Sequence, residues 1–384
     1  MKTKAIVVAA LATVMALALP AAAAPATGSV VGWARVNTPG FGDPRNALGP
    51  LAVFNGQLYA GTWSNADGHP VQVWRTADGK TWTAFHPPVS SATESLYDLQ
   101  VHEGYLYVGL DRDDGAGGEI WRTDSVTWKR VVAGGFGNAA NVGVNALASF
   151  GGHIYAVTVN NSTGPEIWRS ASGDVGEWSQ VSTPALSSGV IAQDVVLEAI
   201  NGQLYLGLGR RLGPNLYRGE LWRSADGQTW TAVFTDGLGN PNNSIVGGLA
   251  EFQGQLYVGI RNVVQGGEVW RLAPSSTWQP VVTGGLGDVV NGRPYGLFAF
   301  QNRLYLVVSN LVSGAQVWVS DDGSSWRQVV SGGWGNPTNW FADYFDKGSA
   351  VFNGRLYIAT LNRVSGGEVW LQLDQTVFLP VALR

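Results

Sequence analysis

One unit of roughly fifty residues recurs seven times along this chain, and that recurrence excludes most of what 384 residues could otherwise build. Each copy carries an apolar residue, a Gly or Asn turn, and then Leu-Tyr or Ile-Tyr opening an alternating strand. The tyrosines are Tyr59, Tyr107, Tyr155, Tyr205, Tyr257, Tyr305 and Tyr357, at intervals of 48 to 52 residues. A second strand follows with the pattern Glu or Gln, aliphatic, Trp, giving Trp74, Trp121, Trp168, Trp222, Trp270, Trp318 and Trp370. A further tryptophan comes seven to ten residues later at Trp82, Trp128, Trp178, Trp230, Trp278 and Trp326. Its seventh member lies at the other end of the chain, where Trp33, Ala34, Arg35 and Val36 repeat the pattern and lead into the same connector as the internal copies.

Period-two alternation, aromatic and β-branched enrichment, and a turn every 8 to 12 residues read as strands, with no helical periodicity after the N-terminal stretch. Four short strands per fifty-residue repeat predict blades packed around an axis. The fold class expected is all-β: a seven-bladed β-propeller of four-stranded antiparallel blades, its ring closed by the N-terminal strand. Closure of this kind removes the unpaired edge of an open array. The segment Phe378, Leu379, Pro380, Val381 also fits the outer-strand pattern; the Trp33 segment is preferred because its connector must start beside the first blade.

Residues 1–24 have a basic start (Lys2, Lys4), an apolar run and an alanine-rich end, the pattern of a secretory leader. The expected organisation is leader 1–24, one propeller over 29–373 with 29–37 as the outer strand of the last blade, and a C-terminal tail over 374–384. The location implied is secreted or extracytoplasmic, by bacterial Sec-type export. The chain has no cysteine, so disulfides, thiolate metal sites and cysteine nucleophiles are excluded. The formal charge is −4, and −6 without Lys2 and Lys4, which gives no basic footprint for nucleic acid or an anionic membrane. No later apolar run is long enough to insert into a bilayer. The expected state is a monomer.

Three copies carry similar turns between the third and outer strands: Thr76 to Trp82 (TADGKTW), Ser224 to Trp230 (SADGQTW) and Ser320 to Trp326 (SDDGSSW). An Asp in such a turn can accept N–H groups two residues on, and Gly supplies positive φ. These turns resemble the Asp-box of the bacterial neuraminidase repeat, one residue shorter than its common form, with Asp78, Asp226 and Asp322 as the structural aspartates. The resemblance implies a sialidase-like propeller in which the box is a folding element away from the active face. It does not imply activity. The arginine triad, Tyr–Glu pair and early Arg-Ile-Pro segment of a sialidase have no match here. Kelch and WD40 patterns fit less well.

Comparing copies separates scaffold from site. Glu119, Glu166, Glu220, Glu268 and Glu368 share one repeated slot, two before the third-strand Trp, and read as structural. The connector repeats Gly-x-Gly-Asx-x-x-Asn, with Asp43/Asn46, Asn138/Asn141, Asn240/Asn243, Asp288/Asn291 and Asn336/Asn339, where Asx turn-capping is the plainer account. A second polar ring follows the repeat Tyr by five residues, with Asn160, Asn262, Asn310, Asn362 and Arg210, and Asn65 one place later. Side-chain amides around a funnel suit sugar hydroxyls as well as turns. Asp111, Asp113, Asp114 and Gly115 could hold calcium, but EF-hand spacing and the closing Glu are absent, so no cofactor is expected.

The residues that break the repeat remain: Trp63 and Trp340 on the same rim in blades one and seven, Tyr344 nearby, Tyr97 and Tyr295 in one equivalent slot, and Arg293. Exposed aromatics are how sugar rings are commonly gripped, although such a residue also fills packing gaps. The leading expectation is a secreted, non-catalytic binding propeller for a glycan or cell-surface ligand. The alternative is a polysaccharide-cleaving enzyme, hydrolase or lyase, using the unrepeated acids Glu94, Asp98, Asp194, Asp343 and Asp346. A protein-interaction scaffold is the third reading.

Overall fold

The computed structural model describes residues 32–373 apart from 65–67, 94, 113, 161, 192–193 and 344–346. The expected leader, residues 29–31 of the closing strand and the tail 374–384 lie outside that set, as do Asn65, Glu94, Asp113, Tyr344 and Asp346.

Seven antiparallel sheets surround one axis. Blades 1 to 6 take residues 46–84, 96–132, 141–180, 196–234, 245–282 and 293–330, each with inner, second, third and outer strands in chain order. Blade 7 takes 341–372 and borrows its outer strand, Trp33–Arg35, from the other end of the chain. The register is Trp33 to Gln372, Ala34 to Leu371 and Arg35 to Trp370, so the ring closes as the repeat pattern requires. Trp33 is buried between blades 6 and 7, edge-on to Trp334 at 5.7 Å.

Each blade buries its repeat residues against the next. The indole N–H of every third-strand Trp donates to the Glu or Gln two residues earlier at 2.7 to 3.0 Å, in all seven blades. In five connectors a bulky residue sits at positive φ: Phe41, Phe136, Leu238, Leu286 and Trp334, at 55° to 62°. That conformation costs roughly 1–3 kcal/mol for a non-glycine residue and persists only where its surroundings over-determine it. Here the compensation is visible. Phe41 stacks on Trp74 and Phe136 on Trp168, both at 4.6 Å, and Trp334 stacks on Trp370 at 5.7 Å. The connector's final Asn (Asn46, Asn141, Asn243, Asn291, Asn339) then donates its amide to the carbonyl of the glycine just before that bulky residue, at 2.8 to 3.0 Å.

On the opposite face, Asp78, Asp226 and Asp322 each accept two backbone N–H groups, two and three residues on, at 2.6 to 2.8 Å. Those donors hold all three carboxyls well below the usual carboxylate range. The glycine of each turn is also a cradle: a Cβ at Gly79, Gly227 or Gly323 would overlap the hydroxyl of the preceding blade's repeat Tyr, Tyr357, Tyr155 or Tyr257.

Candidate functional site

The connectors and the loops joining second to third strands share one face, and the inner strands carry that face down to the axis. The inner-to-second pairing slips at the same level in five blades: between Leu48 and Leu51, Leu96 and Asp98, Val144 and Ala146, Val246 and Gly248, and Pro294 and Gly296. The skipped residues are Gly49 and Pro50, Tyr97, Asn145, Gly247 and Tyr295. In blade 7 the same level opens into an excursion, because its inner strand breaks off at Ala342 and resumes at Ser349. β-Bulges re-aim side chains, and here they form a ring around the channel mouth. Tyr97 and Tyr295, the equivalent pair expected from sequence, are both bulge residues.

From that ring, side chains cross the axis. Tyr295 of blade 6 lies over Gly247 of blade 5, where any side chain would run into its ring, and its hydroxyl donates to Asp194 of blade 4 at 2.8 Å. Lys347, from the blade 7 excursion, forms an ion pair with Glu198 of blade 4. Two further acids stand in the wall with nothing comparable. Asp98 is 1% exposed, with one oxygen accepting the Leu147 N–H at 2.7 Å and the other without a hydrogen bond. Asp343 is fully buried; Ser349 and the Gly348 N–H face it, but neither oxygen has a hydrogen bond of good geometry. Burial pushes Asp98 up to about 6 against the opposing pull of Lys347, and pushes Asp343 up to about 7.

The rim above is aromatic and cationic. Trp63 is partly exposed, 5.7 Å from Tyr97, and carries the Arg363 guanidinium at 4.7 Å over its ring. Three blades therefore meet at this point: 1, 2 and 7. Trp340 is also partly exposed, on the blade 6 side of blade 7, where its carbonyl accepts the Asn310 N–H at 3.0 Å. Beside it Arg293 lies over Phe341 at 5.3 Å.

Several expected contacts belong to the scaffold instead. Asn160, Asn262, Asn310 and Asn362 are 0% exposed. Their amides donate to the connector residues Asn141, Asn243, Asn291 and Asn339 at 2.8 to 3.0 Å, and their oxygens cap their own loops. They offer no surface to a ligand. Arg210 is 9% exposed and paired with Glu220 at 2.9 Å. Tyr97 and Tyr295 are buried too, so they back the site rather than line it. In the acidic turn weighed against calcium binding, Asp114 pairs with Arg112 and Asp111 accepts the Ser95 N–H at 3.0 Å. No grouping of three or more His, Asp or Glu able to hold a metal occurs among the described residues.

Lys347, Glu198, Arg363 and Phe341 are additions that the sequence reading missed. Glu198 had a usable signal, because its slot opposite the repeat Tyr holds Ala52, Ala148, Ala250 and Ala350 in four other blades. Lys347 had none, since it lies in a segment that breaks the repeat altogether.

Residues 122–262 match the family described as the DUF6242 beta propeller domain. No curated protein matches the sequence. Among solved structures, the β-propeller domain of the Trilobed protease from Pyrococcus furiosus superposes with a TM-score of 0.52 at 7% identity, covering 85% of this chain and 95% of that one. That domain is described as an open velcro, whereas the ring here is closed by Trp33–Arg35. A prolyl endopeptidase, from work on two such enzymes, gives 0.51 at 12% identity over 86% of this chain and 50% of that one. A Trypanosoma rangeli sialidase mutant with trans-sialidase activity gives 0.47 at 13% identity, over 88% of this chain and 58% of that one. At identities this low, the two superpositions above 0.5 bear on the propeller fold and on nothing finer.

Proposed function

We propose that this chain is an exported, non-catalytic binding propeller that holds a glycan or cell-surface saccharide on its connector face, at the seam where the ring closes. The observation that carries the proposal is Trp63. It breaks the repeat, stays partly exposed, is backed by Tyr97 and holds Arg363 over its ring, which makes a flat, amphipathic shelf. Trp340 and the Arg293–Phe341 pair extend the same rim.

The state of the acids also favours binding over bond cleavage. Glycoside hydrolysis needs two carboxyls presented to the scissile bond from opposite sides. In this channel Asp98 and Asp343 are buried, Asp194 accepts the Tyr295 hydroxyl, and Glu198 is paired with Lys347. We read the turns at Asp78, Asp226 and Asp322 as shortened Asp-boxes serving the fold. No helix among the described residues is long and apolar enough to cross a membrane.

Binding of the full chain to a panel of immobilised polysaccharides tests the reading. Substituting Trp63→Ala and Trp340→Ala together is expected to weaken the tightest interaction tenfold or more without lowering the melting temperature appreciably. A panel that stays blank, or a double variant that binds like the parent, rejects it.

A further inference from the structure

On the face opposite the connectors, the repeat is interrupted at blade 7. In five blades the repeat Tyr is covered by the third-to-outer turn of the next: Tyr59 donates to Ser125 of blade 2 at 3.1 Å, Tyr107 to the Ser172 carbonyl of blade 3 at 3.3 Å, and Tyr155, Tyr257 and Tyr357 sit in glycine cradles. Tyr305 of blade 6 has no such cover among the described residues. The turn that would supply it does not exist, because the third strand of blade 7 ends at Gln372 and its outer strand begins at Trp33. Tyr305 instead shares hydrogen bonds with Gln372 at 3.2 to 3.4 Å, and a cavity of about 440 Å³ opens beside them.

Three arginines line this cavity: Arg303, Arg327 and Arg355. Comparison of the copies shows that they are exceptions. Two residues before the repeat Tyr, the other blades carry Gln57, Tyr105, His153, Gln203 and Gln255; only blades 6 and 7, which flank the gap, carry Arg. After the outer-strand Trp, the others carry Thr83, Lys129, Ser179, Thr231, Gln279 and Ala34, and only blade 6 carries Arg327. Arg303 donates its Nε to Asp321 at 2.8 Å. The Arg327 side chain is exposed, and its guanidinium makes no hydrogen bond or ion pair among the described residues. Planar guanidinium groups take carboxylate and sulfate oxygens in pairs. The volume falls in the range of small-ligand sites, and Phe300 and Val329 give it an apolar wall.

We propose that this cavity is a second, anion-selective binding site, for an acidic saccharide carrying carboxylate or sulfate groups. It lies on the face opposite the Trp63 shelf and does not depend on that shelf for its ligand.

Calorimetric titration of the full chain carrying Trp63→Ala and Trp340→Ala, which removes the shelf, with an oligogalacturonate, a sulfated oligosaccharide and a neutral oligosaccharide of equal length tests it. One or both acidic ligands are expected to bind, the neutral one not to, and Arg327→Gln with Arg355→Gln is expected to weaken the acidic ligand at least tenfold. The two acidic arms tell carboxylate from sulfate. Acidic binding that persists in this shelf-less background separates the two sites. Equal binding of the neutral ligand, no acidic binding at low salt, or an affinity unmoved by the two arginine substitutions in the correctly folded protein overturns the proposal.

Discussion

Two sets of buried carboxylates in this propeller are treated in opposite ways. Glu119, Glu220, Glu268 and Glu368 of the third strands are at most 7% exposed, and each accepts the indole N–H of its blade's Trp together with amide or guanidinium donors. In blades 5 and 7 the extra donors include the connector Asn, Asn243 or Asn339, at 2.7 to 2.8 Å, joined by Asn240 in blade 5 and by the Arg35 guanidinium in blade 7. Blades 2 and 4 lack that connector. There the fifth residue after the repeat Tyr becomes arginine, and Arg112 and Arg210 bond Glu119 and Glu220 instead. Asp98 and Asp343 in the channel wall are as deeply buried and receive no such provision. A carboxylate in the repeated slot is supplied with donors by the fold, while one that occurs once bears its desolvation largely unrelieved.

The sharpest way to break this contrast is to remove a provision. Arg210→Ala leaves Glu220 as a buried charge without its cation, and should cost about 3–5 kcal/mol of stability, read by urea unfolding. A loss under 1 kcal/mol would show that the guanidinium does not balance the charge.

The channel acids make the next largest difference, and it appears in the pH dependence. Burial raises Asp98 from 3.8 to about 6, so between those values the folded chain binds more protons than the unfolded one. Stability therefore falls as pH rises through that window and levels off above it. The loss is on the order of 3 kcal/mol for Asp98 at 1.36 kcal/mol per pKa unit. Asp343, raised to about 7, extends the fall to neutrality. Melting temperature should rise on going from pH 8 to pH 5, and Asp98→Asn with Asp343→Asn should flatten that slope. A parent protein with a level profile would mean that both acids are hydrated or paired in solution.

A smaller effect probes the amide version of the provision. Asn141→Ala takes one donor from Glu166 and one from the Gly135 carbonyl, but Asn138 still donates to Glu166 at 3.1 Å. About 1–3 kcal/mol should be lost, less than for Arg210→Ala. The reverse order would sink the distinction between the amide-held and cation-held blades.

The repeat made the architecture legible. Seven tyrosines and seven Glu/Gln-x-Trp strands count the blades, and the misplaced Trp33 shows where the ring closes, because each copy must bury the same face against a neighbour. The fate of the amides was not legible. A chain-order comparison puts Asn160 and Asn141 in two polar rings, and only the packing shows that these rings bond each other and leave none of the four second-ring asparagines exposed.

Local signals recur with the period of the strand or the blade, so the sequence alone determines strand content, blade number, the closing strand and which residues repeat. What crosses the axis follows no period. That Lys347 of blade 7 meets Glu198 of blade 4, that Tyr295 reaches Asp194 over a glycine of the blade between, and that a missing turn opens a cavity among three arginines were decided by the tertiary structure. Ring closure brings together residues far apart in the chain, and their spacing in sequence carries no record of that meeting.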